Sequence, residues 1–179
     1  MDYKLRSIDD SDKERILNWR NSDRVRQNMY TDHLITPEEH ESWFNKIHQD
    51  KSVDYKIFEY EGRSIGLVGF TQINKLHNTC YWAFYLGEVD VPTKSGAVME
   101  FMALDYAFRE LGIRKLCCEV FCFNEKVIKM HKKFGFQQEG LFVKHMLKAD
   151  QHEDVTSLAI FEDGWAAKRA EMSKLLFKA

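Results

Sequence analysis

Two small strand-to-helix junctions, at residues 92–97 and 124–136, carry residue types and spacing that could bind a phosphate group. Each places backbone N–H groups at the start of a helix, where the helix dipole is positive and holds an anion without many lysines. In the first junction, Gly96 would let the backbone approach the phosphate closely. The second opens with Asn124 as an N-cap residue and closes at Gly135. We therefore expect a phosphate-binding site beside a helix that carries catalytic residues. The alternative is that each junction is an ordinary strand-to-helix turn.

Hydrophobic periodicity predicts the elements that must position these junctions. The strongest helix start is Thr36-Pro37-Glu38-Glu39, where Thr36 caps, Pro37 takes the first helical position and Glu39 completes a capping box. The fold class is therefore α/β (α+β), with a mixed central sheet flanked by helices. The predicted strands cover residues 3–8, 54–60, 64–73, 78–86, 114–123, 139–147 and 154–161. The predicted helices cover residues 10–21, 36–47, 97–111 and 125–134, with a final helix from Trp165 and a short turn or loop at 24–30.

Length, charge and cysteine pattern restrict the class of protein. The chain has 179 residues, which is most simply one domain, residues 1–179. Its net charge of −2 argues against a general nucleic-acid binder. It has no apolar run of about 18 residues, no recognisable signal peptide, and no zinc pattern among its four cysteines. We expect a cytoplasmic protein with reduced, mostly buried thiols, no metal, and no nucleic-acid or membrane partner.

Residues 93–98 resemble the pyrophosphate loop of the GCN5-related N-acetyltransferase (GNAT) superfamily, Gln/Arg-x-x-Gly-x-Gly/Ala. Gly96 matches, whereas Thr93 and Val98 depart from the pattern. The resemblance implies the acyl-CoA N-acyltransferase fold, with a mixed, mostly antiparallel sheet, and acetyl-CoA as cosubstrate. Backbone N–H groups around residues 86–88 would polarise the thioester carbonyl. The implied cofactor-binding residues are Leu86, Gly87, Glu88, Lys94, Ser95, Gly96, Ala97, Val98, Asn124 and Lys129.

Residues 124–136 resemble the superfamily pattern Asn-x-x-(Ala/Ser)-x-x-x-Tyr-x-x-x-Gly-Phe, with Asn124, Gly135 and Phe136 matching. His131 stands where that pattern has a tyrosine, which usually protonates the departing CoA thiolate. A histidine has a reference pKa of about 6.5, so it can also donate a proton near neutral pH. His131 is therefore the candidate catalytic acid. Packing beside its helix neighbours, or contact with CoA, is the alternative role.

Glu119 lies on the strand that opens beside CoA in this superfamily and is the candidate catalytic base. It could relay a proton from the attacking amine through water. Strand alternation places it on the same face as Cys117 and Phe121. A surface ion pair is the alternative role. The resemblance implies direct attack of the amine in a ternary complex, with much of the rate arising from holding the amine beside the thioester.

The N-terminal third resembles the acetyltransferases of pseudaminic acid biosynthesis. Those enzymes acetylate the 4-amino group of a UDP-linked 2-acetamido-4-amino-4,6-dideoxy-altrose, which implies a part in flagellin or surface glycosylation. The segments that carry the resemblance are Trp19-Arg20-Asn21, Met29-Tyr30, Pro37-Glu38-Glu39-His40 and Trp43-Phe44. The implied substrate-binding residues are Arg20, Met29, Tyr30, His40, Trp43, Phe44, Tyr81 and Trp82.

Each of these residue types has a chemical reason to bind a sugar nucleotide. Arg20 suits the phosphates, and His40 could hydrogen-bond the nucleotide or a phosphate; we expect both to be the more exposed members. The aromatic and methionine side chains could cover the methyl group and the apolar face of a deoxysugar. Trp19, Trp43 and Phe44 lie at helical spacing, so they could instead belong to the core.

The sequence is also compatible with other acceptors and with a protein that is not an enzyme. A polyamine site should carry an acidic cluster, whereas Glu38, Glu39 and Glu41 are dispersed along a helix surface. A protein N-terminus needs an open groove. The chain could also be a non-catalytic acyl-CoA-binding module. A homodimer is possible because sheet edges often pair, and the stereochemistry of a sugar acceptor depends on the shape of the pocket.

Overall fold

The computed structural model describes residues 2–177. They divide into two compact units, one formed by residues 2–73 and 82–99 and the other by residues 74–81 and 100–177. Strand β4 (Thr79–Leu86) and helix α4 (Ser95–Asp105) each contribute to both units. The assignment of the chain to one domain stays a prediction.

The first unit combines an antiparallel part of the sheet with three helices. Strand β1 pairs with β2 and β2 pairs with β3, both antiparallel, in the order β1-β2-β3-β4. These elements are β1 (Tyr3–Ser7), β2 (Asp54–Tyr60), β3 (Arg63–Asn74), α1 (Lys13–Asn21), α2 (Asp23–Arg26) and α3 (Pro37–Ile47).

Helix α3 forms as its sequence predicts and anchors the core of the first unit. Its capping box is complete: Glu39 N–H donates to Thr36 Oγ1 at 3.2 Å, and Thr36 N–H donates to Glu39 Oε2 at 2.8 Å. Phe44, which is 1% exposed, packs with Trp19 and the aliphatic side chains around it. Full burial of such a side chain contributes about 1.5–3 kcal/mol. The core role left open for Trp19 and Phe44 is therefore the one that the structure shows.

The second unit contains the parallel pair of the sheet. Residues Thr79–Tyr81 of β4 pair in parallel with Lys115–Cys117, whereas the other two pairings are antiparallel, in the order β4-β5-β7-β6. Its remaining elements are β5 (Lys115–Phe121), α5 (Glu125–Phe134), β6 (Gln137–Lys148), β7 (Gln151–Phe161) and α6 (Glu162–Phe177). The predicted mixed, mostly antiparallel sheet flanked by helices is confirmed.

Several predicted boundaries were wrong by a few residues. The first helix is preceded by a 3-10 turn at Asp10–Asp12. Helix α4 begins two residues before Ala97 because Val98 N–H bonds the carbonyl of Lys94 and closes the first turn from Ser95 onward, and the helix continues as a π-helical turn at Tyr106–Glu110. Helix α6 begins at Glu162; Trp165 is a buried member of its first turn, not its start.

The exposed and buried surfaces bear on the remaining expectations. None of the four cysteines forms a disulfide within residues 2–177, and three of them are buried, which agrees with the predicted mostly buried thiols. Strand β6 is the edge strand in the order β4-β5-β7-β6, and it exposes Leu141, Val143 and Leu147. The homodimer stays a prediction. Among the helices within residues 2–177, none has both the length and the apolar character required to cross a bilayer.

Candidate functional site

The end of helix α1 organises the loop that follows α2. Arg20 donates from Nη2 to the carbonyl oxygen of Thr31 at 2.6 Å. The Asn21 side chain donates to the Ile35 carbonyl at 2.9 Å and accepts from the Ile35 N–H at 2.8 Å. The side chains of two consecutive residues thus hold the backbone of the loop at residues 31–35, and this loop forms one wall of a cavity.

This wall closes a cavity of about 340 Å³ in the first unit, a volume typical of small-molecule sites. Its lining is mostly apolar and aromatic. The lining residues are Ile16, Arg20, Met29, Thr31, Ile35, Glu39, His40, Trp43, Tyr55, Leu67, Gly69, Thr71, Ala83 and Tyr85. Four of the predicted acceptor residues, Arg20, Met29, His40 and Trp43, are therefore brought together.

The other predicted acceptor residues do not line this cavity. Phe44 and Trp82 are 1% and 3% exposed and belong to the core. Trp82 alternates with Ala83 and Tyr85 along β4, so it lies on the opposite face of the strand. Tyr30 is 38% exposed and is not a lining residue. Tyr81 belongs to the second unit, where it lies opposite Cys117.

The cavity also contains strand residues that were not among the predicted site residues. Leu67, Gly69 and Thr71 are alternate residues of β3, and Ala83 and Tyr85 are alternate residues of β4. Alternate residues share one face of a strand, so this period-two pattern was the available signal. It was hidden because both strands are apolar on their two faces.

Two polar atoms of the lining have no hydrogen-bond partner among residues 2–177: Nη1 of Arg20 and the hydroxyl of Tyr85. Burial lowers the pKa of Arg20, although a guanidinium remains charged in proteins. Burial raises the pKa of Tyr85, so its hydroxyl stays protonated. A buried donor without a partner is unfavourable. Two residues of the lining thus carry a buried polar group that lacks a partner within the described part of the chain.

His40 is less exposed than predicted from its sequence. It is 5% exposed, because its Nε2 donates to the Lys13 carbonyl at 2.7 Å and its ring stacks on Trp43 at 5.2 Å. Burial lowers the pKa of His40. Arg20 is likewise half-buried, not exposed. A contact of His40 with a nucleotide stays a prediction.

Glu39 is the acidic member of the lining, and its oxygens are both engaged. Oε2 accepts from the Thr36 N–H at 2.8 Å, and Oε1 lies 3.1 Å from Nε2 of His33. The hydrogen bond from Thr36 holds the pKa of Glu39 below its usual value. The Glu39 carboxylate therefore stabilises the N-terminus of α3.

The strand end expected to polarise a thioester is held by protein groups instead. The N–H groups of Gly87 and Glu88 both donate to the carbonyl of Ile65, at 2.8 and 3.2 Å. The Glu88 carboxylate accepts from Trp19 Nε1 at 2.8 Å. Two of the three amides proposed to polarise the thioester are thus occupied, so the structure does not support that part of the prediction.

The backbone N–H groups at the start of α4 suit the pyrophosphate of CoA. The N–H groups of Gly96 and Ala97 precede that of Val98, which donates to the Lys94 carbonyl at 2.9 Å, so they have no carbonyl four residues back in the helix. A Cβ at position 96 would meet only Leu86 Cδ1, at 3.9 Å. That room stays available to a ligand.

Other predicted side chains at this helix start face the protein. Ser95 is fully buried and its hydroxyl lies 3.1 Å from that of Tyr3. Val98 is 1% exposed and belongs to the core. Their backbone N–H groups are also engaged, that of Ser95 by the Pro92 carbonyl and that of Val98 by the Lys94 carbonyl. The structure therefore does not support the prediction that these two residues bind CoA.

In the second unit, helix α5 presents a buried histidine. Nδ1 of His131 lies 2.8 Å from Oε1 of Glu100. Asn124 occupies the N-cap position without a side-chain capping hydrogen bond, and Gly135 ends the helix with φ at 110°. Lys129 is 76% exposed and bonds Glu125. Glu100 was missed, although it is the one charged residue in the apolar run from Ala97 to Leu104.

Glu119 is half-buried on β5, within the second unit. Its charge adds to burial in raising the pKa of Tyr81 and that of Cys117. The three groups are therefore neighbours, as strand alternation predicted for Cys117. The roles of Glu119 as base and of His131 as acid stay predictions. Within residues 2–177, no three His, Cys, Asp or Glu side chains are grouped so as to hold a metal ion.

Known proteins resemble this chain over most of its length. Spermidine N(1)-acetyltransferase of Vibrio cholerae is 23% identical over 159 residues, which cover 88% of this chain and 92% of that protein. The Escherichia coli K12 spermidine N(1)-acetyltransferase is 25% identical over 135 residues, covering 75% and 73%. Acetyltransferase PseH of Campylobacter jejuni is 30% identical over 125 residues, covering 69% and 75%.

A solved structure and a family model agree with these similarities. The crystal structure of spermidine N-acetyltransferase from Vibrio cholerae, in complex with CoA and spermine, has the same fold, with a TM-score of 0.87, 22% identity, and coverage of 92% of this chain and 98% of that one. A family model described as an acetyltransferase (GNAT) domain matches residues 5–156. The protein therefore belongs to the GNAT acetyltransferase family, and it is an N-acetyltransferase that uses acetyl-CoA as its cosubstrate.

Proposed function

We propose that this enzyme acetylates the 4-amino group of a UDP-linked 4-amino-4,6-dideoxy sugar by direct attack of the amine in a ternary complex with acetyl-CoA. The observation that carries the proposal is the half-buried guanidinium of Arg20, a residue of the cavity lining whose buried Nη1 has no hydrogen-bond partner among residues 2–177. A sugar nucleotide supplies phosphate or hydroxyl oxygens to such a group.

The rest of the lining suits the same ligand. Met29, Trp43 and Tyr55 offer apolar surface for the methyl group and ring face of a deoxysugar. The Tyr85 hydroxyl offers a second hydrogen bond to a sugar or phosphate oxygen. A largely apolar wall with few polar groups is the pattern expected of a specific small-molecule pocket.

The charges of the cavity argue against a polycation. Its one carboxylate among the lining residues, Glu39, is engaged by Thr36 and His33. Arg20 adds a positive charge to a site that would have to hold other positive charges. Like charges in a partly buried site repel strongly. The PseH similarity, at 30% identity, supports the same choice of acceptor.

Acetylation of a polyamine is the second candidate, and sequence similarity favours it. The spermidine N(1)-acetyltransferases of Vibrio cholerae and Escherichia coli match a larger share of this chain than PseH does. The structural similarity, with a TM-score of 0.87, is also to a spermidine enzyme. The comparisons thus weigh towards a polyamine, whereas the chemistry of the cavity weighs towards the sugar nucleotide.

In the proposed reaction, one side chain of the second unit accepts a proton and another donates one. The amine nitrogen attacks the thioester carbonyl carbon, and the carbon–sulfur bond breaks. Glu119 takes the proton lost by the nitrogen through water, and His131 gives a proton to the thiolate sulfur. The backbone N–H groups of Gly96 and Ala97 hold the pyrophosphate of CoA.

The deciding experiment is the release of free CoA from acetyl-CoA in the presence of three amines. They are UDP-2-acetamido-4-amino-4,6-dideoxy-altrose, spermidine and a peptide with a free N-terminus. Turnover with the sugar alone supports the proposal. Turnover with spermidine alone replaces the acceptor by the second candidate, and turnover with the peptide alone contradicts both.

A further inference from the structure

Glu100 and His131 form a buried hydrogen-bonded pair inside the second unit. Their Oε1 and Nδ1 atoms lie 2.8 Å apart, and the side chains are 0% and 2% exposed. The His131 ring also packs on Phe136, with ring centroids 4.9 Å apart. A buried carboxyl needs a partner in place of water, and His131 provides it.

The pair is suited to sharing a proton. Oε2 of Glu100 is buried and has no hydrogen-bond partner among residues 2–177. Burial raises the pKa of Glu100 above its usual value, and the nearby His131 opposes that effect. The 2.8 Å contact allows a proton to lie between the carboxylate and the imidazole nitrogen.

We propose that Glu100 is the positioning residue for His131: it fixes the imidazole through Nδ1 and supplies the counter-charge that keeps a proton on the ring for donation from Nε2. The inference rests on the proposed function, in which His131 protonates the thiolate. In that step the Nε2 proton moves to the CoA sulfur as the carbon–sulfur bond breaks. The ring returns to its neutral form with the Nδ1 proton still bonded to Glu100, and the proton released by the amine restores the balance.

Glu100 is a charged group that hydrogen-bonds the His131 ring, and His131 opposes the effect of burial on the pKa of Glu100. Three lysines of α5 and α6 bond other residues: Lys129 bonds Glu125, Lys132 bonds Gln138 and Lys168 bonds Glu171. Lys126 and Lys133, also on α5, are exposed.

A purely structural pair would be buried in the same way, and breaking a buried pair destabilises a protein whatever its role. Stability therefore does not test the proposal. The useful variants are Glu100→Gln, which keeps a hydrogen-bond acceptor but removes the charge, and Glu100→Ala, which removes both. Glu171→Gln is the matched control, because Glu171 is 63% exposed on α6 and has no part in the proposed site.

The first experiment reads the His131 ring directly and needs no acceptor. Protein labelled with ¹⁵N-histidine is titrated by NMR, and the signals are assigned by their loss in His131→Gln. We expect the neutral wild-type ring to carry its proton on Nδ1 and Glu100→Ala to shift that proton towards Nε2. In Glu100→Gln the neutral His131 ring should keep the same tautomer, but the ring should lose its second proton at a lower pH than in the wild type. Unchanged signals in both variants would overturn the proposal.

The second experiment measures kcat against pH with acetyl-CoA and whichever of the three amines reacts. Glu100→Gln should lower kcat about tenfold and change the KM for acetyl-CoA less than about twofold, because the proton is donated only in the transition state. The falling limb of its pH profile should move to lower pH, since the protonated ring has lost its counter-charge. Glu171→Gln should leave both quantities unchanged.

The two experiments separate this inference from the proposed function. If the wild type reacts with none of the amines, the proposed reaction fails, whereas the NMR titration still decides the role of Glu100. If the wild type reacts and a folded Glu100→Gln variant keeps its kcat and pH profile, the pair is structural and the inference is wrong.

Discussion

The indole of Trp19 lies so close to the backbone of Gly87 that a Cβ atom at position 87 would stand 2.0 Å from Trp19 Cδ2. The same indole donates from Nε1 to the Glu88 carboxylate at 2.8 Å. Arg24 donates from Nη2 to the Gly87 carbonyl, also at 2.8 Å. Helices α1 and α2 thereby fix the end of β4.

Gly87→Ala should destabilise the protein by about 1–3 kcal/mol, the usual result of forcing an extra methyl group into a packed site. The added Cβ must displace the Trp19 indole, and with it the hydrogen bond to Glu88. Urea unfolding measures the change. Gly140→Ala is the control, because its Cβ would meet Ser157 Cβ only at 4.0 Å. Equal stability of the two variants would contradict the prediction.

Gly96→Ala should behave in the opposite way. A Cβ at position 96 would meet only Leu86 Cδ1, at 3.9 Å, and alanine is the better helix former by about 0.5–1 kcal/mol. We expect an unchanged or higher melting temperature, together with a KM for acetyl-CoA raised about tenfold, which corresponds to about 1.4 kcal/mol. Steady-state kinetics at saturating acceptor give that KM. An unaltered value would show that the pyrophosphate does not approach residue 96.

The buried His40 should make stability depend on pH. Burial lowers the pKa of His40, so its stabilising contribution is complete above the reference value of about 6.5 and is lost as the pH falls through the lowered pKa. The melting temperature of the wild type should therefore drop on acidification below about pH 6.5. His40→Gln, whose amide can still donate to the Lys13 carbonyl, should reduce that drop.

The exposed His77 supplies the control for this measurement. His77→Gln also removes one titratable ring, but the ring is in contact with solvent. Its melting curve should follow that of the wild type at every pH. If His40→Gln and His77→Gln showed the same pH dependence, the stability effect would not originate at His40.

The features that the sequence predicted correctly depend on local interactions. The capping box of Thr36 and Glu39 forms between residues three apart, and Gly135 ends α5 because its φ of 110° suits glycine. The π-helical turn is different. Its defining hydrogen bond, from Leu111 N–H to the Tyr106 carbonyl, spans five residues and has no sequence signature of its own.

The site was predictable only in part for a similar reason. Arg20 and Trp43 could be chosen by residue type, but the strand residues opposite them, such as Gly69 and Tyr85, meet them through tertiary contacts alone. Position along a helix was also insufficient. Trp43 and Phe44 are adjacent, yet the first lines the cavity and the second is buried in the core, since neighbours on a helix face different directions.

Arg20→Ala should weaken the acceptor and leave acetyl-CoA binding unchanged. A hydrogen bond to a charged group contributes about 1.5–3 kcal/mol, so the KM for the sugar nucleotide should rise by roughly 10- to 100-fold. Arg109→Ala is the control, because Arg109 is 58% exposed and makes a long ion pair of 4.0 Å with Asp105. If spermidine is the acceptor, loss of the Arg20 charge should instead leave its KM equal or lower, because a repulsion has been removed. A parallel loss of affinity for both substrates would show that Arg20 acts on the fold through Thr31 and not on the acceptor.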